Sequence, residues 1–149
     1  MHRKILIMGL PGAGKTTLAE ALALRLHAVH FNADEVRKHI NKDLGYSEAD
    51  RIEHATRMGW LCDQVVKAGC LAIADFICPT PQTRSAFMKH GRAFVVWVDR
   101  IQVSAFPDTN RLFVPPDSFD LRIPAGKPVD YWEEQVARQV CPLSNATSA

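Results

Sequence analysis

The sequence predicts a three-layer, doubly wound α/β sandwich built on a mainly parallel five-stranded sheet. Three observations carry that expectation. Short apolar runs alternate along the chain with segments of helical period. Two of those runs, Leu71 to Asp75 and Phe94 to Asp99, are continuously apolar up to a terminal acid, as strands covered on both faces are. Finally, Gly9-Leu10-Pro11-Gly12-Ala13-Gly14-Lys15-Thr16 matches G-x-x-x-x-G-K-S/T at every fixed position, between the first apolar run and a helical segment.

Taken in order, Lys4 to Met8 is the first strand, and Thr17 to His27 is a helix with Leu18, Leu22, Leu26, Ala19 and Ala23 at helical spacing. Ala28 to Asn32 reads as the second strand. Glu35, Val36, Arg37 and Ile40 then begin a helix whose early acids, Asp34 and Glu35, suit the positive end of its dipole. A polar loop from Asn41 to Tyr46 surrounds Gly45. Ser47 should cap a long helix reaching about Lys67, with Asp50 as the acidic member of a capping box and Ala68-Gly69 as the stop. After the strand ending at Asp75, Phe76-Ile77-Cys78-Pro79 leads to a short helix from about Thr83 to Lys89. Phe94 to Asp99 is the most hydrophobic strand. Ser104 to Pro116 holds three prolines and no helical period, so it reads as a loop. Phe119 to Ile123 is the expected last strand and Val129 to Val140 a closing amphipathic helix. With the glycine-rich loop at its head, this is a sheet of the P-loop NTPase and kinase type.

A chain of 149 residues, 47% of them hydrophobic, suits one domain, expected over residues 1–141, with a small polar tail over 142–149 expected to be disordered. The sequon Asn145-Ala146-Thr147 in that tail is then without consequence. A net charge of +2 is too small to mark a nucleic-acid binder by bulk electrostatics, although a local basic groove remains compatible with it. Cys62, Cys70, Cys78 and Cys141 show no C-x-x-C spacing and read as reduced thiols. There is no run of about 18 apolar residues and no signal-like apolar start, so the expectation is a cytoplasmic protein with no membrane partner.

The glycine-rich loop can turn backbone N–H groups around phosphate oxygens, aided by the free donors and dipole of the helix that follows. Gly9, Gly12, Ala13, Gly14, Lys15, Thr16 and Thr17 form the expected nucleotide-binding set. Lys15 should reach the β- and γ-phosphates, and the Thr16 hydroxyl should ligate Mg²⁺. Asp75, an acid after four apolar residues, has the Walker B pattern and would hold that ion directly or through water. Asp34 is placed to meet the second substrate and accept a hydroxyl proton during attack on the γ-phosphate; its alternative role is a helix N-cap. Asp34, Asp75, the loop and the Asp99-Arg100 pair all fall at strand carboxyl ends and should share one crevice. Arg37, Lys38, Lys42, Arg51 and Arg57 cluster with Asn41 and Tyr46 beside it, which suits an anionic acceptor bound chiefly by Arg37 and Arg51. His54 lies on the helix side of Asp50 and Arg51.

These residues resemble the adenylylsulfate kinase family, whose members transfer the γ-phosphate of ATP to the 3′-hydroxyl of adenosine 5′-phosphosulfate. The likeness runs from Gly9 to Ala19, through Asp34-Glu35-Val36-Arg37 and Asn41-Lys42-Asp43-Leu44-Gly45-Tyr46-Ser47 with Asp50-Arg51 and Glu53, to Phe76-Ile77-Cys78-Pro79 with Arg84. The N-K-D-L-G-F/Y-S-x-x-D-R block is its specific part. The resemblance implies ATP as donor with Mg²⁺ and makes Lys15, Asp34 and Asp75 the catalytic set. It gives Arg37, Asn41 and Arg51 contacts to the sulfonucleotide and Tyr46 a stacking role on its adenine. Cys78, in the place of the family's serine, joins the acceptor side. The sequence also departs from the family. Asn32-Ala33-Asp34 stands for D-G-D, His54 for an asparagine, and Val103 to Phe113 for a basic lid with an R-D-x-K-G-L-Y motif; some likeness resumes from Pro115 to Arg122.

The resulting expectation is an ATP-dependent phosphotransferase acting on a small-molecule or nucleotide hydroxyl, with adenosine 5′-phosphosulfate the first acceptor to test. A homodimer is compatible with it. Two other readings stay open: a kinase of a hydroxymethylated pyrimidine within phage-type DNA, admitted by a shortened lid, and a P-loop ATPase or switch without an acceptor. Asn41-Lys42-Asp43 is not the N-K-x-D guanine motif and does not follow a strand, so GTP has no support.

Overall fold

A computed structural model describes residues 2–142. The elements in order are β1 (Lys4–Met8), α1 (Lys15–Leu26), β2 (Val29–Asn32), α2 (Ala33–His39), α3 (Glu48–Lys67), β3 (Ala72–Phe76), α4 (Pro81–Phe87), β4 (Phe94–Asp99), α5 (Pro107–Leu112), β5 (Leu121–Pro124) and α6 (Val129–Val140). The five strands form one sheet in the order β2-β3-β1-β4-β5, and every pairing is parallel. The chain leaves β1 towards β2 and β3 on one side, then crosses to β4 and β5 on the other. Such a reversal opens a crevice beyond the carboxyl ends of the central strands.

Because side chains alternate across a strand, β1 feeds two cores. Ile5 and Ile7, with Ile73, Val96, Val98 and Ile123, face α1 and α6, where Leu18, Leu22, Val136 and Val140 meet them. Leu6 and Met8, with Ala72, Ala74 and Val95, face the layer of α2, α3 and α4 through Val36, Ala55, Met58, Cys62 and Phe87. Residues 5 to 8 are all fully buried, and burial of each such side chain contributes about 1.5–3 kcal/mol. The continuous apolar strands therefore have the cause assigned to them, cover on both faces.

Local chemistry sets the helix ends. Ser47 caps α3 by accepting from the Asp50 N–H at 3.1 Å, but the Asp50 carboxylate turns away from the cap and accepts from the Gly45 N–H at 2.9 Å. The expected capping box is thus a cap plus a loop tie. A reciprocal box does form at α4, between Thr80 and Thr83, so that helix opens at Pro81, earlier than its apolar spacing suggested. At α2 the cap is Asn32, whose Oδ1 accepts from the Glu35 N–H at 3.0 Å; the helix starts straight from the strand and Asp34 lies inside its first turn. That removes the N-cap alternative for Asp34.

The segment from Ser104 to Pro116, expected as a loop, contains the six-residue α5. Proline at its first turn opens it, since the missing N–H is not needed there. Asn110 clamps it by accepting from the Ser104 N–H at 2.9 Å and donating to the Ser104 carbonyl at 3.0 Å. The four cysteines are free thiols, Cys62 and Cys78 buried and pushed up to about 12 by that burial, Cys70 and Cys141 exposed. Among the described residues no helix is long and apolar enough to cross a membrane. Of the tail expected over 142–149 to be disordered, residues 143–149, with the sequon, lie outside the described residues.

Candidate active site

The loop between β1 and α1 takes its shape from glycine at two points. Gly14, at φ +101°, is the left-handed N-cap of α1. A Cβ at Gly9 would lie 2.5 Å from the Val98 carbonyl oxygen, so only glycine lets the loop leave β1 this close to β4. The first-turn N–H groups of α1 have no partner within the helix and point beyond the sheet, where an anion would sit. Lys15, 8% exposed, donates to the Leu10 carbonyl at 2.7 Å. Burial pushes its amine down to about 8, against the opposing pull of Asp75 and Asp34.

Parallel register puts Asp75 beside this loop: it pairs with Ile7 on one side and with Asn32 on the other. Its buried carboxylate accepts from the Thr16 hydroxyl at 3.1 Å and from the Asn32 amide at 3.1 and 3.3 Å, and His30 bonds its second oxygen. His30 is a member of the site that sequence reasoning missed. The signal was there in the period of two, which sets His30 and Asn32 on one face of β2, over Ile73 and Asp75. Asn32 does two jobs, capping α2 with its oxygen and bonding Asp75 and Thr16 with its nitrogen. A second carboxylate at that position would face Asp75 at hydrogen-bond distance; the amide supplies a donor instead.

These groups form one wall of a cavity of about 210 Å³. The lining takes Lys15 and Thr16 from the start of α1, Asp75 from β3, Asp34 and Arg37 from α2, Tyr46 from the α2–α3 loop, and Arg51 and His54 from α3. The Asp34 carboxylate is exposed and has no hydrogen-bond or ion-pair partner among the described residues. Tyr46 has two guanidinium groups against its ring: Arg37 lies 4.5 Å and Arg51 5.4 Å from its centre. Arg37 donates to the Gly45 carbonyl at 2.7 Å and Arg51 to the Tyr46 carbonyl at 3.1 Å. Burial also lowers Arg37 from its ordinary value, the largest influence on it. Tyr46 and Arg51 are shared with an outer hollow of about 150 Å³ that Glu48, Thr80 and Leu112 complete.

Four expected residues lie elsewhere. Asn41 is buried behind the cavity wall, bonded to His54 and Arg57, and Cys78 is fully buried beneath Pro79. The Asp99-Arg100 pair does not join the crevice: Asp99 is ion-paired to Arg122 at 2.8 Å, and Arg100 reaches the far side of the loop, 3.5 Å from a Cβ placed on Gly14. Arg57, one of the basic cluster, is fully engaged with Asp43 and Glu53 on the surface.

A family model described as adenylylsulphate kinase matches residues 2–113. The chain belongs to that family. The match spans the P-loop, α2, the α2–α3 loop, β3 and α5, and ends before β5 and α6. Among curated relatives, an adenylyl-sulfate kinase of Synechococcus sp. (strain JA-3-3Ab) is 36% identical over 97 residues, covering 61% of this chain and 55% of the relative. One of Oceanobacillus iheyensis is also 36% identical, over 100 residues, covering 64% of this chain and 48% of the relative. The chain spans about half the length of the curated relatives it matches. The APS kinase of Mycobacterium tuberculosis, solved in complex with AMPPNP and APS, superposes with a TM-score of 0.80 at 22% identity, covering 91% of this chain and 96% of that one. At that identity the likeness speaks for the fold, a parallel sheet between helical layers.

Proposed function

We propose that this member of the adenylylsulfate kinase family is an ATP-dependent kinase that transfers the γ-phosphate to the hydroxyl of adenosine 5′-phosphosulfate. The observation that carries the reading is the unpartnered Asp34 carboxylate, which lines the same cavity as Lys15, Thr16, Arg37, Arg51 and Tyr46.

In this reading the backbone from Gly9 to Thr17 cradles the donor phosphates, and Lys15 leaves the Leu10 carbonyl for the transferring group. Its charge offsets the negative charge that spreads over the γ-phosphate oxygens in a loose transition state. Asp34 accepts the proton of the attacking hydroxyl. Arg37 and Arg51 hold the acceptor's anionic groups, and the Tyr46 face and the outer hollow offer its base a flat surface. Thr16 and Asp75 suit Mg²⁺: one hydroxyl and one carboxylate, 3.1 Å apart, are the sparse oxygen set that ion uses when phosphates and water complete its shell. No group of three or more His, Cys, Asp or Glu that could hold a metal occurs among the described residues. Bound there by Thr16 and Asp75, Mg²⁺ would supply charge neutralisation for the donor phosphates. His30 and Asn32 fix the Asp75 carboxylate.

Incubation with γ-labelled ATP, Mg²⁺ and a panel of adenosine 5′-phosphosulfate, nucleosides, sugars and hydroxymethyl-DNA tests this. Label should move to the sulfonucleotide. Label found only in inorganic phosphate, or only in DNA, would refute the assignment.

A further inference from the structure

A second hollow, of about 430 Å³, opens on the face of the sheet that carries α4, and it shares no residue with the P-loop cavity or its outer hollow. Its lining comes from α4, the α4–β4 loop, Val95 of β4 and residues 115–120 ahead of β5. That volume lies in the range of small-molecule sites, about 300–1,000 Å³.

Arg84 decides which chemistry the hollow suits. It is 8% exposed; Nε donates to the Cys78 carbonyl at 3.0 Å and Nη2 to the Val114 carbonyl. Nη1 has no hydrogen-bond partner among the described residues and is not sealed off, since the orphaned buried nitrogens there are those of His54 and Trp132. Both bonds go to carbonyl dipoles, so the guanidinium charge is buried with no carboxylate paired to it among the described residues. Burial is the first influence on Arg84 and lowers it from its ordinary value; Cys78 and Asp117 pull the other way, Asp117 without forming an ion pair. A charge taken out of water without a counter-ion is costly, and a bound anion offsets that cost.

The other charges of the lining do not cancel this one. Asp120 is spent on β4, accepting from the Val95 N–H at 2.8 Å. Asp117 and Arg92 are exposed, where water screens them. Arg92 has no partner among the described residues and supplies a second guanidinium. Phe119 is 42% exposed although it packs on Trp97, ring centres 5.5 Å apart, so aromatic surface stays open beside Met88.

We propose that this hollow is a second binding site, for an organic phosphate or sulfate ester: the oxoanion meets Arg84 and Arg92, and the body of the molecule lies against Met88 and Phe119. A guanidinium fork suits such oxygens, and the hydroxyls of Ser85 and Ser118, which bond nothing among the described residues, add donors for the rest. The site stands independently of the kinase reading.

Titration of ¹⁵N-labelled full-length protein with phenyl phosphate tests it, with AMPPNP and Mg²⁺ at saturation to fill the P-loop. The amides of Ala93, Ser118 and Phe119 and the Arg84 Nε–H should shift saturably. Phenyl sulfate should act alike, and inorganic phosphate should bind about threefold or more weakly for want of an apolar body. Arg84 ties two backbone segments, so its removal endangers the fold, and the exposed Arg92 and Asp117 carry the test instead. Arg92→Ala should weaken phenyl phosphate about twofold or more, and Asp117→Asn should tighten it about as much. Shifts confined to the P-loop, inorganic phosphate bound as tightly as phenyl phosphate, preference for benzyltrimethylammonium, or an affinity indifferent to both variants overturns the proposal.

Discussion

Replacing Asp34 by Asn isolates one atom's chemistry. The carboxylate makes no bond within the described protein, and Asn32, not Asp34, supplies the cap of α2, so the substitution removes no structural contact. What the fold loses is a negative charge in the first turn, about 0.3–1 kcal/mol, which for a chain of this size lowers Tm by no more than about 4 °C. What the reaction loses, in the proposed mechanism, is the group that takes the proton from the attacking hydroxyl. General-base assistance commonly contributes 10²- to 10⁴-fold, or about 3–5 kcal/mol of barrier. A loose transition state leans little on a base, so a result near the low end agrees with the account. The neighbouring position supplies no substitute, because the family acid there is Asn32, whose amide is spent on Asp75 and Thr16. Turnover with saturating ATP and sulfonucleotide, the Kd for ATP and Tm should be measured on the same preparation. Turnover within about threefold of the parent, in a protein that still melts normally, would refute the assignment of Asp34 as the base.

Lys15→Ala should abolish phosphotransfer while leaving the circular dichroism spectrum unchanged, since one such electrostatic donor is worth about 10²-fold or more; residual activity within about tenfold of the parent contradicts this. Turnover should stop in excess chelator and return with Mg²⁺ or Mn²⁺, and Asp75→Asn should raise the Mg²⁺ concentration needed for half-maximal rate. An unchanged metal requirement in that variant removes Asp75 from the metal site. The depressed His54 implies a pH-dependent stability. Its folded-state value near 4 lies below the ordinary 6.5, so the unfolded chain binds the extra proton first and stability falls as pH drops from about 6.5 to 4. The contribution is on the order of 3 kcal/mol. Urea melts across that window should show it in the parent and lose it in His54→Asn; parallel pH profiles for the two proteins count against a neutral buried ring.

Much of this fold could be read from periodicity, because a parallel sheet buries its strands on both faces and leaves continuous apolar runs such as Phe94 to Asp99. The closing helix falls on Val129–Val140 as its amphipathic spacing indicated. Six-residue α5 escaped because it is too short to show a period and its prolines look like loop signals; Asn110 and Ser104 stabilise it through contacts that periodicity does not encode. In the site, the P-loop is a local motif and was legible as one. By contrast, His30 on Asp75, Asn32 as cap and strut, and the Arg57–Asn41–His54 relay join residues brought together by strand register or by the α2–α3 loop. Asn41 illustrates the difference: its residue type suits a ligand contact, but the fold turns it behind the wall to act on His54.

The central claim is transfer of the γ-phosphate to the hydroxyl of adenosine 5′-phosphosulfate in a cavity built by this chain. Phosphorus NMR of a reaction with ATP, Mg²⁺ and that sulfonucleotide tests it most directly. A new phosphomonoester resonance should grow on the sulfonucleotide ribose in equal amount to ADP, in the parent protein and not in Lys15→Ala. ADP formed with inorganic phosphate as the sole other product would contradict it.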